Sequence, residues 1–453
     1  MKRISTACTR RHFVASGLTL AAGALCLPRS QASSPRPPPS NRITLGVIGC
    51  GNQGMNDIRS FLQDPRIQIV AVCDVNRESN EYWAGRPGGR EVAKRAVEEH
   101  EAHYYRSGKY RGCELFSDYR DLLARADIDT VLIDTPDHWH ALQVIDAARA
   151  GKDIYCQKPV SLTVDEGRLM RDVVRHHRRV FQTGSQQRSL QPFIQSVDLI
   201  RNGHLGRLHE VRVGLPGGRP DYALSADRKA PEAVPEGFDY NYWLGPAPEA
   251  PYSRARCHVN FRWNFDYAGG QVTDWGAHDV DCAMWGAGVD HTGPLELRIL
   301  GAEFPPDPVW NTATAFQFEA LFPGGIRIDV SDQRTQGVTF VGSNGWLAPN
   351  RENLKASDPE LLRLAEHPGD KRVYASRDHF LNFIDCVIAR TETAAPIEAA
   401  HRAATTCHLA NIAMRLGRER LHWDPVEERV IDDASAQAML RRPYRAPWQY
   451  PAI

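Results

Sequence analysis

Three side chains suited to proton transfer stand out in the sequence: Lys158, Asp274 and His278. Asp274 and His278 are four residues apart, so on a helix they would share one face with a rise of about 6 Å between them. A neutral histidine can take a proton from a hydroxyl group, and a carboxylate can orient that histidine. The spacing also fits a surface or capping pair. The elements that position these residues must therefore decide whether the pair is catalytic.

A glycine-rich loop, with Gly49, Gly51 and Gly54, follows a β-rich run at residues 43–48 and precedes a helix-compatible segment at 55–62. In the spacing G-x-G-x-x-G the first glycine permits a tight turn, the second lets the backbone approach a pyrophosphate, and the third allows close packing of helix and strand. Free N–H groups at the helix N-terminus favour phosphate. The pattern predicts a dinucleotide-binding Rossmann unit, in which we include Asn52 and Gln53 as loop contacts.

An almost continuous apolar run at residues 67–73 ends at Asp74, about 20 residues beyond the last glycine of the loop. Such a run is typical of a parallel strand buried on both faces. An acidic residue at its end accepts hydrogen bonds from the ribose hydroxyls of the dinucleotide and would repel a 2′-phosphate. We therefore expect NAD rather than NADP, although Arg77 nearby weakens that preference.

Two more loops follow predicted strands, at residues 130–133 and 153–156. The carboxyl ends of parallel strands are where open α/β sheets bind ligands, so these loops are predicted to contact the cofactor. The contacts expected there are Thr135, Pro136, His138, His140 and Lys158. For His140 the alternative is a cap of its own helix. A metal held by Asp137 and the two histidines is another alternative, but a His-x-His loop is a weak signal, and we expect no metal.

These loops, together with Asp274 and His278, resemble the Gfo/Idh/MocA family of oxidoreductases, whose reference activities are glucose-fructose oxidoreductase and inositol dehydrogenase. The family usually has Glu-Lys-Pro at the second loop, where this chain has Gln157-Lys158-Pro159. Its Asp-x-x-x-His signature is matched by residues 274–278. The resemblance spans essentially the whole mature chain, and residues 242–246, 261–263, 269–270 and 445–448 are similar to the secreted branch.

The resemblance implies an NAD(P)-dependent enzyme that acts on a sugar, glycoside or polyol, with His278 as the main acid and base and with Lys158 and Asp274 assisting. Candidate substrate contacts are Trp243, Arg262 and Trp263. Indole rings pack on the C–H faces of sugars, although plain core packing explains any one tryptophan at least as well.

The strand and helix patterns predict an α/β fold with two parts. The first is a doubly wound parallel Rossmann sheet at residues 43–165. The second is an α+β domain at 166–422 with a large, mostly antiparallel sheet, followed by a tail at 423–453 that packs on the body. The broad face of such a sheet often forms an interface, so we expect a homo-oligomer, either a dimer or a tetramer.

The first 32 residues resemble a twin-arginine export signal, because Arg10 and Arg11 precede Phe13, an apolar run at 14–27 and a small-x-small site at 30–32. A chance arginine pair before an ordinary secretory or membrane anchor is the alternative. With a linker at 33–42, this layout predicts a periplasmic or secreted protein that is exported folded. No internal apolar run approaches the ~20 residues that span a bilayer, so no integral membrane segment is expected after signal removal.

The composition excludes some other classes of function. Lys plus Arg and Asp plus Glu number 55 each, which leaves no electrostatic footprint for a nucleic-acid partner. No C-x-x-C pair occurs among the ten cysteines, and the eight outside the predicted export signal are predicted to be small buried apolar residues.

Three functions remain open. The first is an NAD(P)-dependent carbohydrate oxidoreductase with tightly bound cofactor. The second is an NAD-dependent glycoside hydrolase of the kind known in the same family, in which transient oxidation at C3 acidifies the neighbouring C–H, the glycosidic bond is eliminated, water adds and hydride returns. The third is a non-catalytic dinucleotide-binding protein, which would be expected to lose Lys158 or His278. Secreted NAD-dependent α-N-acetylgalactosaminidases lack Lys-Pro at this loop, which favours the oxidoreductase.

Overall fold

The computed structural model of the chain describes residues 41–105, 108–364, 369–376 and 378–450. The predicted export signal, nearly all of the predicted linker and the last three residues lie outside these ranges. Within them the chain forms two β-sheets, each flanked by helices.

The first sheet has six parallel strands in the order β3-β2-β1-β4-β5-β6. Its strands are β1 (Ile43–Ile48), β2 (Ile67–Cys73), β3 (Glu114–Phe116), β4 (Thr130–Ile133), β5 (Asp153–Cys156) and β6 (Phe181–Thr183). The helices between them are α1 (Asn52–Phe61), α2 (Arg90–Tyr105), α3 (Tyr119–Leu123), α4 (Asp137–Arg149) and α5 (Val164–His176). The order of the strands reverses between β1 and β4, which places a ligand crevice at their carboxyl ends. The predicted doubly wound sheet is confirmed.

The predicted end of this domain at residue 165 is too early. Residue 165 lies in the first turn of α5, and α5 is the crossover that carries the chain from β5 to β6. Thr163 caps the N-terminus of α5, and its side chain accepts a hydrogen bond from the amide of Glu166 in a capping box. The parallel sheet is therefore complete only at Thr183.

The second sheet has nine strands in the order β13-β12-β11-β7-β10-β9-β8-β14-β15. They are β7 (Leu208–Gly214), β8 (Glu296–Glu303), β9 (Ala315–Leu321), β10 (Arg327–Ser331), β11 (Gly337–Gly342), β12 (Gly345–Pro349), β13 (Leu354–Ala356), β14 (Arg420–Asp424) and β15 (Arg429–Ile431). Only the pair of β7 and β10 is parallel within this described sheet. The predicted large, mostly antiparallel sheet is confirmed.

The remaining helices are α6 (Gln191–Arg201), α7 (Tyr240–Leu244), α8 (Gln271–Asp274), α9 (Gly276–Ala287), α10 (Pro359–Arg363), α11 (His379–Ala389), α12 (Ile397–Arg415) and α13 (Ala434–Ala438). α9 and α12 bury apolar side chains such as Val280 and Leu409 against strand residues such as Phe318 in the largest core of the molecule. α11 instead returns to the first sheet, where Phe383 packs against Phe61 and Tyr155.

The C-terminal tail also packs on the first half of the chain. The indole of Trp448 makes an edge contact with Trp139 of α4, with ring centres 4.8 Å apart. The hydroxyl of Tyr444 donates to Glu166 Oε1 of α5 over 2.7 Å. The tail therefore braces two of the Rossmann helices.

Two other features of the described residues bear on the sequence predictions. All eight cysteines within them are buried and free of disulfide bonds, as predicted. Among the helices of the same ranges, none is long and apolar enough to cross a membrane.

Candidate active site

A cavity of about 460 Å³ lies across the carboxyl ends of β2, β1, β4 and β5. Ten of the predicted site residues line it: Gly49, Gly51, Asn52, Gln53, Asp74, Thr135, Pro136, Lys158, Trp243 and Arg262. The glycine loop and Asp74 follow β1 and β2, whereas Lys158 follows β5 two strands further along. The structure thus joins residues that are far apart in the sequence along one ligand-sized crevice.

The glycine loop has no room for side chains. Gly49 has a φ of +96°, and a Cβ there would lie 2.6 Å from the carbonyl group of Asp134. A Cβ on Gly54 would lie 2.1 Å from the carbonyl oxygen of Gly49, so the helix and the loop are in direct contact. Gly51 precedes α1, and no side chain caps the helix N-terminus, which leaves its N–H groups for a ligand. The loop therefore fits the pyrophosphate of a dinucleotide.

Asp74 holds the loop from the end of β2. Its Oδ2 accepts from the amide of Cys50 and its Oδ1 accepts from the amide of Asn76, both over 2.7 Å. Burial raises the pKa of Asp74, and the two backbone donors oppose that shift. Each carboxylate oxygen can accept a second hydrogen bond, so the group can also receive the ribose hydroxyls.

A cover loop, residues 76–89, crosses the mouth of the glycine loop. The amide of Trp83 donates to Asn52 Oδ1 over 2.6 Å, and its indole stacks on Tyr222 with ring centres 4.1 Å apart. The ring of Tyr82 lies against Gly51, where it is 3.1 Å from the position of a Cβ. The sequence pattern did not predict this cover, which only tertiary contacts reveal.

Lys158 and Asp274 form the ion pair at the other end of the cavity. Lys158 Nζ lies 2.6 Å from Asp274 Oδ1 and 3.1 Å from the main-chain oxygen of the same residue, and Arg262 Nε lies 3.5 Å from Asp274 Oδ2. Burial alone would raise the pKa of Asp274, but the charges of Lys158 and Arg262 outweigh it and hold the pKa below its usual range. Asp274 is therefore a carboxylate at neutral pH, and it positions both cations.

Asp274 and His278 lie on consecutive helices rather than on one. α8 ends at Asp274, and the amide of His278 donates to Trp275 O over 3.0 Å, so the carbonyl of Asp274 is left for Lys158. His278 itself is buried and does not line the cavity, and its Nδ1 has no hydrogen-bond partner in the described structure. Burial, followed by the charge of Lys158, lowers the pKa of His278 well below its usual range, so the ring is neutral.

Asp137 is a second carboxyl group at this end of the cavity. It is the first residue of α4, is 5% exposed and lines the cavity with Lys158 and Arg262. Burial raises its pKa to about 7, and the neighbouring Asp274 adds to that shift, whereas Arg262 and Lys158 oppose it. Sequence reasoning considered Asp137 only as a weak metal ligand, because burial is not readable from the pattern. No cluster of three or more metal-ligating side chains occurs in the described parts of the chain.

A buried acid pair, Asp57 and Asp134, lies beneath the glycine loop. Burial raises the pKa of both groups, and that of Asp134 is raised further by the neighbouring Asp57. Gln157 Nε2 donates to Asp57 Oδ2 over 2.6 Å, and Gln53 Nε2 donates to Asp57 Oδ1 over 2.7 Å. A glutamate at position 157 would bring a third carboxyl group next to Asp57 and Asp134. This acid pair therefore explains why the chain has an amide, Gln157, where the family usually has glutamate.

Three residues predicted to contact the cofactor or substrate lie outside the cavity wall. His138 Nε2 lies 2.9 Å from Trp243 O, and His140 bridges Pro159 O and Thr135 O at 2.7 and 2.8 Å, so both histidines brace loops and neither lines the cavity. Trp263 is fully buried in a small apolar cluster and donates to Pro220 O, so it serves packing rather than sugar stacking. These side chains face inward because their elements leave buried carbonyl groups that need donors.

The long segment between β7 and α8 supplies much of the cavity wall that sequence reasoning missed. Its contributions are Phe238, Tyr242, His258, Val259 and Phe261. Their signal in the sequence is an unusual density of aromatic residues between residues 238 and 267.

Comparison with known proteins agrees with this geometry. Residues 43–185 match the family model described as "Oxidoreductase family, NAD-binding Rossmann fold", and residues 197–450 match "Oxidoreductase family, C-terminal alpha/beta domain". The chain belongs to the Gfo/Idh/MocA oxidoreductase family. Residues 43–185 are accordingly the NAD-binding domain of this family member, as the glycine loop and Asp74 predicted.

The relatives of this Gfo/Idh/MocA protein include proteins that are named for different functions. The rhizopine catabolism protein MocA of Rhizobium meliloti is 28% identical over 72% of this chain and 93% of its own length. An alpha-N-acetylgalactosaminidase of Shewanella oneidensis is 32% identical, over 35% of each chain. The match to this alpha-N-acetylgalactosaminidase and to two other curated relatives covers 59% or less of each relative's own length.

The fold is shared with solved dehydrogenases. The WlbA dehydrogenase of Bordetella pertussis, solved with NADH and UDP-GlcNAcA, superposes with a TM-score of 0.60 at 18% identity, over 85% of this chain and 98% of WlbA. At this identity the likeness concerns the fold alone.

Proposed function

We propose that the protein is an NAD-dependent oxidoreductase that oxidises a hydroxyl group of a sugar, glycoside or polyol. The observation that carries this proposal is the single crevice that has a diphosphate-binding glycine loop at one end and Lys158 with Asp137 at the other. A cation and a titratable acid beside a dinucleotide site suit the removal of a hydroxyl proton while a neighbouring C–H bond is broken.

Bound NAD would supply the hydride acceptor, and the chain's own residues would handle the substrate oxygen. In this proposal the Lys158 ammonium binds the hydroxyl oxygen and stabilises the negative charge that develops there. Asp274 positions the ammonium, and the buried His278, which stays neutral, adds no second positive charge beside it. Arg262 and Trp243, on the cavity wall, contact the rest of the carbohydrate.

The cover loop supports a cofactor that stays bound through the reaction cycle. The hydrogen bond from Trp83 to Asn52 joins this loop to the start of α1, and the stack of Trp83 on Tyr222 joins it to the segment after β7. In this proposal, a dinucleotide bound beneath the loop is released when these contacts open. Such retention suits an exported protein, and we propose that the N-terminal segment directs folded, cofactor-loaded protein to the periplasm or outside the cell.

A glycosidase that uses NAD is the second candidate, and the similarity to an alpha-N-acetylgalactosaminidase over 181 residues favours it. Both candidates begin with the same oxidation, so the crevice serves either. They differ in whether the hydride returns to the same sugar after the glycosidic bond is eliminated. Lys158-Pro159, which the resemblance associates with the oxidoreductases, supports the first candidate.

The discriminating experiment is to incubate purified protein with a panel of free sugars, polyols and p-nitrophenyl glycosides. A keto-sugar, with hydride passed to a second sugar, selects the oxidoreductase. Release of p-nitrophenol without net NADH selects the glycosidase. Bound NAD without either product would leave only the non-catalytic function. Sedimentation of the same sample tests our further proposal that the chain forms a dimer or tetramer.

A further inference from the structure

We propose that Asp137 is a further catalytic residue, which takes the proton of the substrate hydroxyl directly. The inference rests on the proposed oxidation and names the group that accepts the proton. Position distinguishes Asp137 from its neighbours. Five carboxyl or imidazole groups of the described residues interact electrostatically with Lys158: Asp137, His140, Asp274, His278 and Asp279. Of these five, only Asp137 lines the cavity.

The surroundings of Asp274 and His278 make both groups unsuited to accept the substrate proton. The Asp274 carboxylate is occupied by Lys158 and Arg262, at 2.6 and 3.5 Å, and it remains ionised at neutral pH. His278 is strongly resistant to protonation, because burial and the Lys158 charge both disfavour its cationic form. A group that resists protonation is a poor acceptor for the proton of an alcohol.

Asp137 differs from Asp274 and His278 in both its contacts and its readiness to take up a proton. Among the described residues no side chain donates a hydrogen bond to the Asp137 carboxyl group, which accepts one from its own backbone amide and lines the cavity, where a ligand can reach it. Its position at the first residue of α4 places it over the helix N-terminus, which favours the carboxylate, while burial favours the acid. With a pKa of about 7, the group can both accept and return a proton near neutral pH.

In the proposed step, the Asp137 carboxylate takes the hydroxyl proton, the O–H electron pair forms the C=O bond, and the C–H electron pair leaves as hydride to the nicotinamide. Asp137 is then a neutral acid, and the Lys158 ammonium stabilises the oxygen while charge develops on it. On reduction of a second carbonyl group, the same proton returns from Asp137 to the new alkoxide.

The test compares Asp137→Asn, which keeps the shape but cannot accept the proton, with Asp121→Asn, an exposed aspartate on α3. With whichever sugar the wild-type protein oxidises, we expect Asp137→Asn to lower kcat at least 100-fold with a small change in KM. The acid limb of the kcat/KM profile, which falls below about pH 7 in the wild type, should vanish from the residual activity. His278→Ala should keep that limb.

A second readout needs no substrate. Because burial raises the pKa of Asp137 in the folded state, the folded protein loses stability as pH rises from about 4 to about 7. Lys158, Arg262 and Asp274 are the charged groups that face it and set this window. Asp137→Asn should therefore raise the Tm by a few degrees relative to the wild type at pH 8 and by much less at pH 5.

The outcomes separate the two proposals. If the wild type oxidises a sugar and Asp137→Asn retains kcat within about threefold, the inference is overturned while the proposed function stands. The inference is also overturned if His278→Ala, rather than Asp137→Asn, removes the acid limb, or if the Tm difference is equal at both pH values. If the wild type oxidises nothing in the panel, the proposed function fails and this inference fails with it.

Discussion

Lys158 Nζ contacts both the carboxylate and the main-chain oxygen of Asp274, at 2.6 and 3.1 Å. The side chains of the two residues are 16% and 13% exposed, so the pair is largely shielded from water. A single residue thus supplies both acceptors for the ammonium, and the end of α8 at Asp274 makes its carbonyl available. This relationship fixes the position of the cation on the cavity wall.

Replacement of Lys158 with Met should lower turnover by a factor of 100 or more, because the charge that would stabilise the developing alkoxide is lost. It should also destabilise the fold by about 3 kcal/mol at pH 7, since Asp274 keeps a buried charge with only Arg262 beside it. Chemical denaturation and steady-state kinetics measure the two effects. Lys229→Met, which also removes a paired lysine but lies outside the cavity wall, is the control.

Replacement of His278 with Ala should leave NAD bound and lower turnover at least tenfold, with residual activity that still allows a pH profile. The void left behind the Lys158–Asp274 pair should loosen the position of the ammonium. Cofactor content after gel filtration and the turnover rate are the measurements. His209→Ala, at an exposed position on β7, should change neither. Unchanged turnover in His278→Ala would contradict a role of this residue in positioning Lys158.

Replacement of Gly54 with Ala should prevent NAD binding, because the added Cβ would lie 2.1 Å from the carbonyl oxygen of Gly49. We expect the loop to shift and the protein to lose about 1–3 kcal/mol of stability, the usual cost of overpacking. Calorimetric titration with NAD and thermal unfolding test both effects. Gly301→Ala has open space around its Cβ and serves as the matched control. Equal NAD affinity in the two variants would refute the close contact.

Replacement of Trp83 with Ala should speed the release of NAD about tenfold, since the cover loop loses its stack on Tyr222. The affinity of the glycine loop itself should change less than the rate of release. The measurement is the exchange of bound NAD for a labelled dinucleotide over time. Trp346→Ala, another partly exposed tryptophan on β12, controls for loss of an indole. If both variants release NAD at the wild-type rate, the cover loop does not retain the cofactor.

The sequence was sufficient to predict the glycine loop, Asp74 and the loop with Lys158, because each follows a strand whose apolar pattern is local. The sequence was not sufficient to predict that His138 and His140 lie away from the cavity, because their motif does not say which face of α4 meets it. The same applies to Trp263, whose burial depends on a segment about 50 residues away that carries Trp310.

The residues missed by sequence reasoning depend on long-range contacts. Asp137 gains its raised pKa from burial beside Asp274, far along the chain, and the cover loop gains its place from Tyr222. The domain boundary predicted at 165 falls within α5, and the pairing of β6 with β5 extends the parallel sheet to Thr183. Local pattern therefore predicts the sheet and its loops, while tertiary contact decides which side chains face the ligand.

The most direct test of the proposed oxidation is isotopic. Protein with bound NAD is incubated with sugars deuterated at their carbinol carbons, and the cofactor is then extracted and analysed by mass spectrometry and NMR. Hydride transfer to the cofactor predicts deuterium at the nicotinamide ring with at least one sugar, and none with Lys158→Met. NAD that stays bound but acquires no deuterium from any sugar in the panel would contradict the proposed oxidation.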